Sequence, residues 1–424
     1  TLSYAASLVP EISDTIYQID EAMKDGYAWK WGPFEMIDKL GAAWFAEKLA
    51  AEGMEVPKLL KTVGDGTFYQ IENNKVQFME TDGSYSDLPR GEGVLLLSDI
   101  KLASEPVSKN GSASLWDIGD GVICLEFHTK MNSLDDGIVA QMKKATKLIE
   151  KGDFKALVIH NEGENFSVGA NVGLALFAAN LGLWPVIESA MSDGQKTLKK
   201  LKYSKFPVVS APRGMALGGG CEVLLHSDAV QAHVETYTGL VEVGVGVVPG
   251  WGGCKEMITR HTLNKKRPGG PMSAMMGAFE MISTAQVATS AAEAKEKLIM
   301  REGDGITMNR DRLLADAKAK ALALLDGYQP PKEVEISLPG PTAMTAINLA
   351  VDGFVANGMA KPHDATVSKA LGRVLTGGDT DMTEVVTEDQ LYALEREAFL
   401  GLMKTEKTLQ RIEHMLTTGK PLRN

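Results

Sequence analysis

The chain has 424 residues, a formal charge of −11, and 44% hydrophobic against 23% charged residues. That length allows two or three domains around a large core, and the acidic balance disfavours nucleic acid as a main partner, since neutralising phosphates takes a basic face. Three cysteines (Cys124, Cys221, Cys254) without a CxxC spacing exclude a disulfide framework and a zinc knuckle and point to a reducing, cytoplasmic setting; no run approaches the ~18 apolar residues of a membrane span.

Residues 1–60 read as helical. Met36, Ile37, Leu40 and Trp44 recur at helical spacing, and Gly53 supplies a stop. Trp29, Trp31, Phe34 and Trp44 predict a large apolar surface that is buried by packing or at an interface. Residues 61–114 read as a β-hairpin and a linker. Asn73-Asn74, between Phe68–Glu72 and Lys75–Met79, tolerates the positive φ of a two-residue turn. The linker ends near Asn110-Gly111-Ser112.

Near residue 115 the rhythm changes. Gly121 to Phe127 predicts a strand. Ser133 predicts the cap of a helix whose apolar positions are Leu134, Ile138, Met142, Ala145 and Ile149. Ala156 to Ile159 and Pro207 to Ala211 predict buried strands, and 219–226 a further helix. Strands alternating with helices predict an α/β layer architecture over 115–327. The segment 172–200 carries Leu174, Leu176, Phe177, Leu181, Leu183 and Trp184, which either line a pocket or pack. Residues 328–424 read as helical, with Leu391 to Leu416 predicting one long amphipathic helix that ends at Gly419.

The chemistry concentrates in two glutamates twenty residues apart, Glu222 and Glu242. The first closes Gly218-Gly219-Gly220-Cys221-Glu222. The second precedes Val248-Pro249-Gly250-Trp251-Gly252-Gly253. Two carboxylates in bends where backbone can approach a ligand suggest paired acid/base work beside exposed amide donors. Surface glutamates are ordinarily just solvated, and a triple glycine is ordinarily a loop. Glu242 fits that reading poorly, because Val241, Val243, Val245, Val247 and Val248 surround it. Cys221 reads as packing rather than a nucleophile, with no base beside it. None of the seven histidines is paired at metal-ligand spacing, so no metal is expected.

With the upstream stretch Asn165-Phe166-Ser167-Val168-Gly169-Ala170-Asn171, these residues form a three-part pattern that resembles the crotonase (enoyl-CoA hydratase/isomerase) superfamily, and within it the hydratases that carry both glutamates. The resemblance covers about 115–327 and implies a core of ββα units wound into a spiral, flanked here by helical regions. It implies an acyl-CoA thioester substrate and no other cofactor. The amides of Ala170 and Gly219 would form the oxyanion hole, Glu222 would activate water, and Glu242 would deliver a proton to Cα. Lys130, Val168, Gly169, Asn171 and Gly218 would line the CoA and substrate, with Lys130 on a phosphate. Many relatives have Asp where Asn171 stands, which bears on the local CoA contacts and the anchoring of the loop. Lys265-Lys266-Arg267 is a second basic cluster, of a kind that is ordinarily solvated surface.

The segment Trp31-Gly32-Pro33-Phe34-Glu35-Met36-Ile37-Asp38 is similar to a motif in the C-terminal helical domain of 3-hydroxyacyl-CoA dehydrogenases. No GxGxxG follows a strand anywhere, so a dinucleotide site is not expected. The tail, from Glu395-Arg396-Glu397-Ala398-Phe399 to Arg423-Asn424, resembles the close of bacterial β-oxidation fusion proteins. The expectation is therefore the C-terminal portion of such a fusion, with the NAD-binding part upstream. Its function would be enoyl-CoA hydration. The rival expectations are double-bond isomerisation and a non-catalytic CoA-binding module. The resemblance leaves the oligomeric state open between a homo-oligomer, since stand-alone crotonases are trimers or hexamers, and none, since fused ones need not assemble.

Overall fold

Gly32 shows why the N-terminal segment folds as it does. A Cβ there would lie 2.2 Å from Asp20 Cγ, so only glycine lets the chain pass the buried Asp20 carboxylate. That carboxylate accepts from Phe34 N (2.8 Å), Glu35 N (3.1 Å) and the Tyr69 hydroxyl (2.9 Å). Asp38 similarly accepts from Phe68 N and Tyr69 N at 2.7 and 2.9 Å. The acidic residues of the Gly32–Asp38 segment and Asp20 thus join helices to strands.

The computed structural model describes residues 1–266 and 269–424. By internal contacts the chain divides into two units: 1–94 with 98–104, and 95–97 with 105–424.

In the first unit, helices Leu2–Ser7, Ile16–Tyr27, Pro33–Leu40, Ala42–Ala51 and Lys58–Val63 enclose Ile16, Phe34, Ile37, Leu59, Leu60 and Phe68. The periodic run through Met36 and Trp44 is two helices, because Gly41 adopts φ +91° between them. Gly53 (φ +72°) follows the second, with Met54 N donating to Leu49 O at 2.9 Å. Strands Tyr69–Glu72 and Lys75–Met79 pair antiparallel around Asn73 and Asn74, both at positive φ, and Tyr85–Asp87 adds a third strand. Of the four large aromatics, Phe34 is buried in this core and Trp29 is half-buried. Trp31 and Trp44 are 41% and 49% exposed and lie under the ammonium groups of Lys39 and Lys48, a setting in which an indole face stays at the surface.

The second unit is built on a seven-stranded sheet. Val122–Phe127, Ala156–His160, Val208–Ala211, Ala229–His233 and Gly305–Thr307 run parallel in that spatial order. The first three are buried at every position, as expected of strands covered on both faces. Ala113–Asp117, which straddles the domain boundary expected near 115, pairs antiparallel on Val122–Phe127, and Ser108–Lys109 adds the edge. The turn between that pair runs through Gly119, Asp120 and Gly121, all at positive φ. The helix Asp136–Glu150 starts at Asp135, whose carboxylate accepts from Ile138 N at 2.9 Å. Ser133 does not cap it, because its hydroxyl is turned back to Lys130 O.

A smaller sheet positions the candidate chemistry. In it Met215–Leu217 and Tyr237–Gly239 run parallel, and Val287–Ala288 pairs antiparallel with the latter. At the end of the chain the expected single helix is two, Glu388–Met403 and Glu406–Thr418. Thr405 caps the second, and Gly419 closes it at φ +69°. Both pack in the second unit's core, through Leu391, Leu402 and Ile412 among others. Among the described residues no helix is long and apolar enough to cross a membrane.

Candidate active site

Three segments separated in sequence end side by side. Leu217 pairs with Gly239 across the small sheet, and Gly218 N donates to Gly239 O at 2.9 Å. Ser167 bridges to Ala216, with Leu217 N donating to Ser167 O at 2.9 Å. The chain then leaves this edge in three directions. From 167 it enters the turn through Gly169 and Ala170. From 217 it enters the helix Gly219–Leu225, which carries Glu222. From 239 it enters the short 3-10 helix Glu242–Val245. Parallel register therefore brings the two glutamates and the Val168–Asn171 loop to one end of the sheet.

The glycines have separate reasons. Gly218 sits at φ +54°, and a Cβ on it would lie 3.2 Å from Glu242 Oε1. Gly220 is pressed against Ser167, where a Cβ would meet its carbonyl oxygen at 2.6 Å. Gly169 (φ +99°) is close enough that its Cβ would lie 3.2 Å from Gly219 N, and a Cβ on Gly219 would lie 3.4 Å from Ala170 N. The amides of Ala170 and Gly219 are thus neighbours, and neither has an acceptor among the described residues. Gly219 is the first residue of its helix, where the N–H has no intrahelical partner and the dipole is positive.

The two carboxyls differ. Glu222 is buried, and its Oε1 accepts from Trp251 N (2.7 Å) and Gly253 N (2.8 Å). Burial pushes its pKa up to about 7 against the downward pull of those amides. Glu242 has both carboxyl oxygens buried with no hydrogen-bond partner, although the residue as a whole is partly exposed. Burial, and then the charge of Glu222, hold it well above the usual carboxylate range. Near neutrality the pair therefore holds one readily ionised group and one protonated group, the arrangement that provides a base and an acid at one pH.

Further residues complete the surroundings. His226 donates from Nδ1 to the Glu222 carbonyl oxygen (2.7 Å), and its Nε2 accepts from the Tyr392 hydroxyl (3.0 Å). Burial holds its pKa down to about 3, so it is neutral. Glu395 is fully buried and accepts from Gly252 N and Lys255 N, each at 2.8 Å. Behind them lies a buried ion cluster. Lys202 meets Glu256 at 2.5 Å and Glu388 at 3.3 Å, and Lys255 contacts both acids. Cys221 is buried and its thiol is pushed up to about 12 by burial, which leaves it inert near neutral pH.

The structure brings together Gly169, Ala170, Gly218, Gly219, Glu222 and Glu242. Lys130 is exposed, on a turn tied to the same loop: Val168 N donates to Met131 O and Asn132 Nδ2 to Asn165 O. Asn171 anchors the loop itself, its Oδ1 capping the helix Val172–Asn180 through Leu174 N at 3.3 Å. On and after that helix Leu174, Phe177, Leu181 and Leu183 are exposed, while Leu176 and Trp184 pack on the core. Lys266 pairs with Glu302 at the surface, and Arg267 lies outside the described residues. Glu395, His226 and Tyr392 have no counterpart in the sequence reading of the site. The one signal for the amide grip was the run of glycines around Trp251.

Residues 117–268 match the model of the family described as enoyl-CoA hydratase/isomerase. Over its whole length the chain is 41% identical to a probable 3-hydroxyacyl-CoA dehydrogenase of Bacillus subtilis (strain 168), and covers 54% of that protein. Over 97% of its length it is 32% identical to a Rickettsia felis protein provisionally named a fatty acid oxidation complex trifunctional enzyme, of which it covers 51%. The chain thus spans about half the length of these curated relatives. A carnitinyl-CoA dehydratase from Mycobacterium thermoresistibile superposes on 73% of this chain and 91% of its own, with TM-score 0.53 and 15% identity, a likeness of fold alone.

Proposed function

Because residues 117–268 of this chain are an enoyl-CoA hydratase/isomerase domain, we propose that the chain is an enoyl-CoA hydratase of fatty-acid β-oxidation. It adds water across the 2,3 double bond of a 2-enoyl-CoA to give the 3-hydroxyacyl-CoA. Glu222, ionised above about pH 7, takes a proton from water as the hydroxyl attacks Cβ. The Cα=Cβ pair of electrons moves toward the thioester, and negative charge collects on its oxygen. The amides of Ala170 and Gly219 receive that charge, and one such donor is worth ~3 kcal/mol where it has been removed from other enzymes. Protonated Glu242 then delivers its proton to Cα.

The observation that carries this reading is Glu242, a buried carboxyl with two unpartnered oxygens beside Gly218. A structural carboxyl in that position would be hydrogen-bonded, because leaving buried polar atoms unmade costs ~1–3 kcal/mol each. Glu222 supports it from the other side: both amides grip Oε1, which leaves Oε2 for a water. Lys130 serves a CoA phosphate, and Val168, Gly169, Asn171 and Gly218 border the thioester. The reaction as proposed needs no metal and no nucleotide cofactor beyond the CoA of the substrate. Isomerisation needs one carboxyl to shuttle a proton, so two of opposite protonation favour hydration. The cytoplasm suits three buried free thiols.

Loss of the conjugated enoyl-thioester absorbance of crotonyl-CoA tests the reading. Turnover abolished by Glu242→Gln supports it. Binding of crotonyl-CoA without turnover leaves a CoA-binding module, and conversion of a 3-enoyl-CoA without hydration leaves an isomerase.

A further inference from the structure

We propose that Glu395, on the helix Glu388–Met403, is a positioning residue of the hydration centre: it holds the turn Trp251–Lys255 so that the amides of Trp251 and Gly253 stay on Glu222 Oε1. The proposal rests on the hydratase reading and adds a residue far beyond the matched segment 117–268.

The turn is shared between two buried carboxyl groups, of which Glu395 is pushed up to about 8 by burial and then by the charge of Glu222. Glu222 takes the amides of Trp251 and Gly253, and Glu395 takes those of Gly252 and Lys255. Neighbouring amides along one turn therefore go to acids on two different helices. A peptide unit cannot rotate to release one acid without disturbing the bond to the other. Glycine at 252 is part of the lock. It sits at φ +105°, and a Cβ there would meet Tyr392 Cε1 at 2.7 Å and the His226 ring at 2.8 Å. Tyr392 lies on the same helix as Glu395 and bonds His226, whose other nitrogen donates to the Glu222 carbonyl oxygen. The helix Glu388–Met403 thus reaches Glu222 twice, through the side-chain grip and through the backbone.

A carboxylate at a helix N-terminus is ordinarily a stabilising cap and nothing more. Here the capped amides alternate with those that set the proton affinity of the proposed base. The amides of Gly253 and Trp251 pull the Glu222 pKa down against burial, so a loosened turn raises it. The ionisable groups around Glu395 are Glu222 on Gly219–Leu225, Cys254, Lys255 and Glu256 on Gly253–Leu263, Glu242, His226, Lys202, and Tyr392 and Glu388 on its own helix.

The test compares the full chain with Glu395→Ala and Glu395→Gln. For the alanine variant we expect kcat on crotonyl-CoA to fall about 10- to 100-fold, the scale of a small misplacement of a catalytic group. KM should stay nearly unchanged. The acid limb of the kcat–pH profile should move to higher pH, and amides 251–255 should exchange hydrogen faster. Glutamine keeps one acceptor and should fall between. Wild-type kcat and an unmoved acid limb in folded Glu395→Ala overturn the proposal, as does unchanged exchange. A limb that moves to lower pH also overturns it, since Glu395 would then act through its charge. If alanine prevents folding, the isosteric glutamine variant decides by the same limb and exchange. If the wild-type chain fails to hydrate crotonyl-CoA, the hydratase reading falls, and the exchange arm still decides whether Glu395 holds the turn.

Discussion

Replacing Glu222 by glutamine should cost activity and return stability, by amounts the structure fixes. The carboxyl is buried, and its pKa is raised from 4.5 to about 7. A raised folded-state pKa means that the native state holds the proton more tightly than the unfolded chain. The stabilisation is complete below pH 4.5 and is lost as pH rises through about 7. At ~1.4 kcal/mol per unit, the loss between pH 5 and pH 8 is about 2–3 kcal/mol. Glutamine cannot ionise and keeps an oxygen for the amides of Trp251 and Gly253, so it escapes that loss. Urea unfolding of both proteins at the two pH values measures it: the variant should gain about 2–3 kcal/mol on the wild type between them. Hydration of crotonyl-CoA should fall by at least ~100-fold, as for loss of general acid/base catalysis. Near-wild-type turnover would remove Glu222 from the mechanism. An identical pH slope of stability in both proteins would refute the assigned burial of its charge.

Glu242→Gln should lower hydration by at least ~100-fold with little change in crotonyl-CoA binding by calorimetry; retained turnover would sink the two-carboxyl mechanism. The wild-type profile of kcat/KM against pH should be bell-shaped, rising through about 7 as Glu222 ionises and falling at higher pH as Glu242 loses its proton. Gly219→Pro should cost ~10²–10³ in rate while circular dichroism stays native, since the first helical position tolerates proline; a folded, fully active variant would place the oxyanion donors elsewhere. Asp20→Ala strands three donors in the N-terminal unit, and chemical unfolding should show a loss of about 3 kcal/mol or more. With NAD and 3-hydroxybutyryl-CoA the chain should produce no NADH, because no GxGxxG turn follows a strand into a helix in its sequence; steady production would reveal a site of another kind.

The buried strands and the glycine-rich bends were legible because each is a local signal: continuous apolar runs, or residues that alone reach positive φ. That Glu222 and Glu242 lie in one place followed from the resemblance and not from their spacing, since the parallel register of Leu217 with Gly239 is a pairing between segments. The strand Ala113–Asp117 straddles the boundary expected near 115, and no local signal marks it, because its partner supplies the pattern that makes it a strand. Ser133 lost the cap to Asp135 because both residues have the right chemistry and only the backbone path chooses between them. Trp31 and Trp44 stay out of the first unit's own core, and an ammonium group covers each indole face there. Glu395 was out of reach entirely. Nothing at position 395 announces that its partners are the amides of Gly252 and Lys255, which lie over a hundred residues earlier.

The buried ion cluster sets an order of events during synthesis. Lys202 and Lys255 need Glu388 to complete their neutralisation. The ribosome delivers that residue long after the lysines. At ~5–20 residues per second, roughly ten seconds pass while two ammonium groups destined for the interior have only Glu256 as a counter-ion there. The nascent chain cannot close over them cheaply in that interval, since an uncompensated charge resists burial. The glycine bends, the proposed oxyanion amides and both proposed catalytic carboxyls are by then already synthesised. The helix Glu388–Met403, which carries Glu388, Tyr392 and Glu395 on successive turns, supplies the missing counter-ion and the second grip on the turn Trp251–Lys255 together.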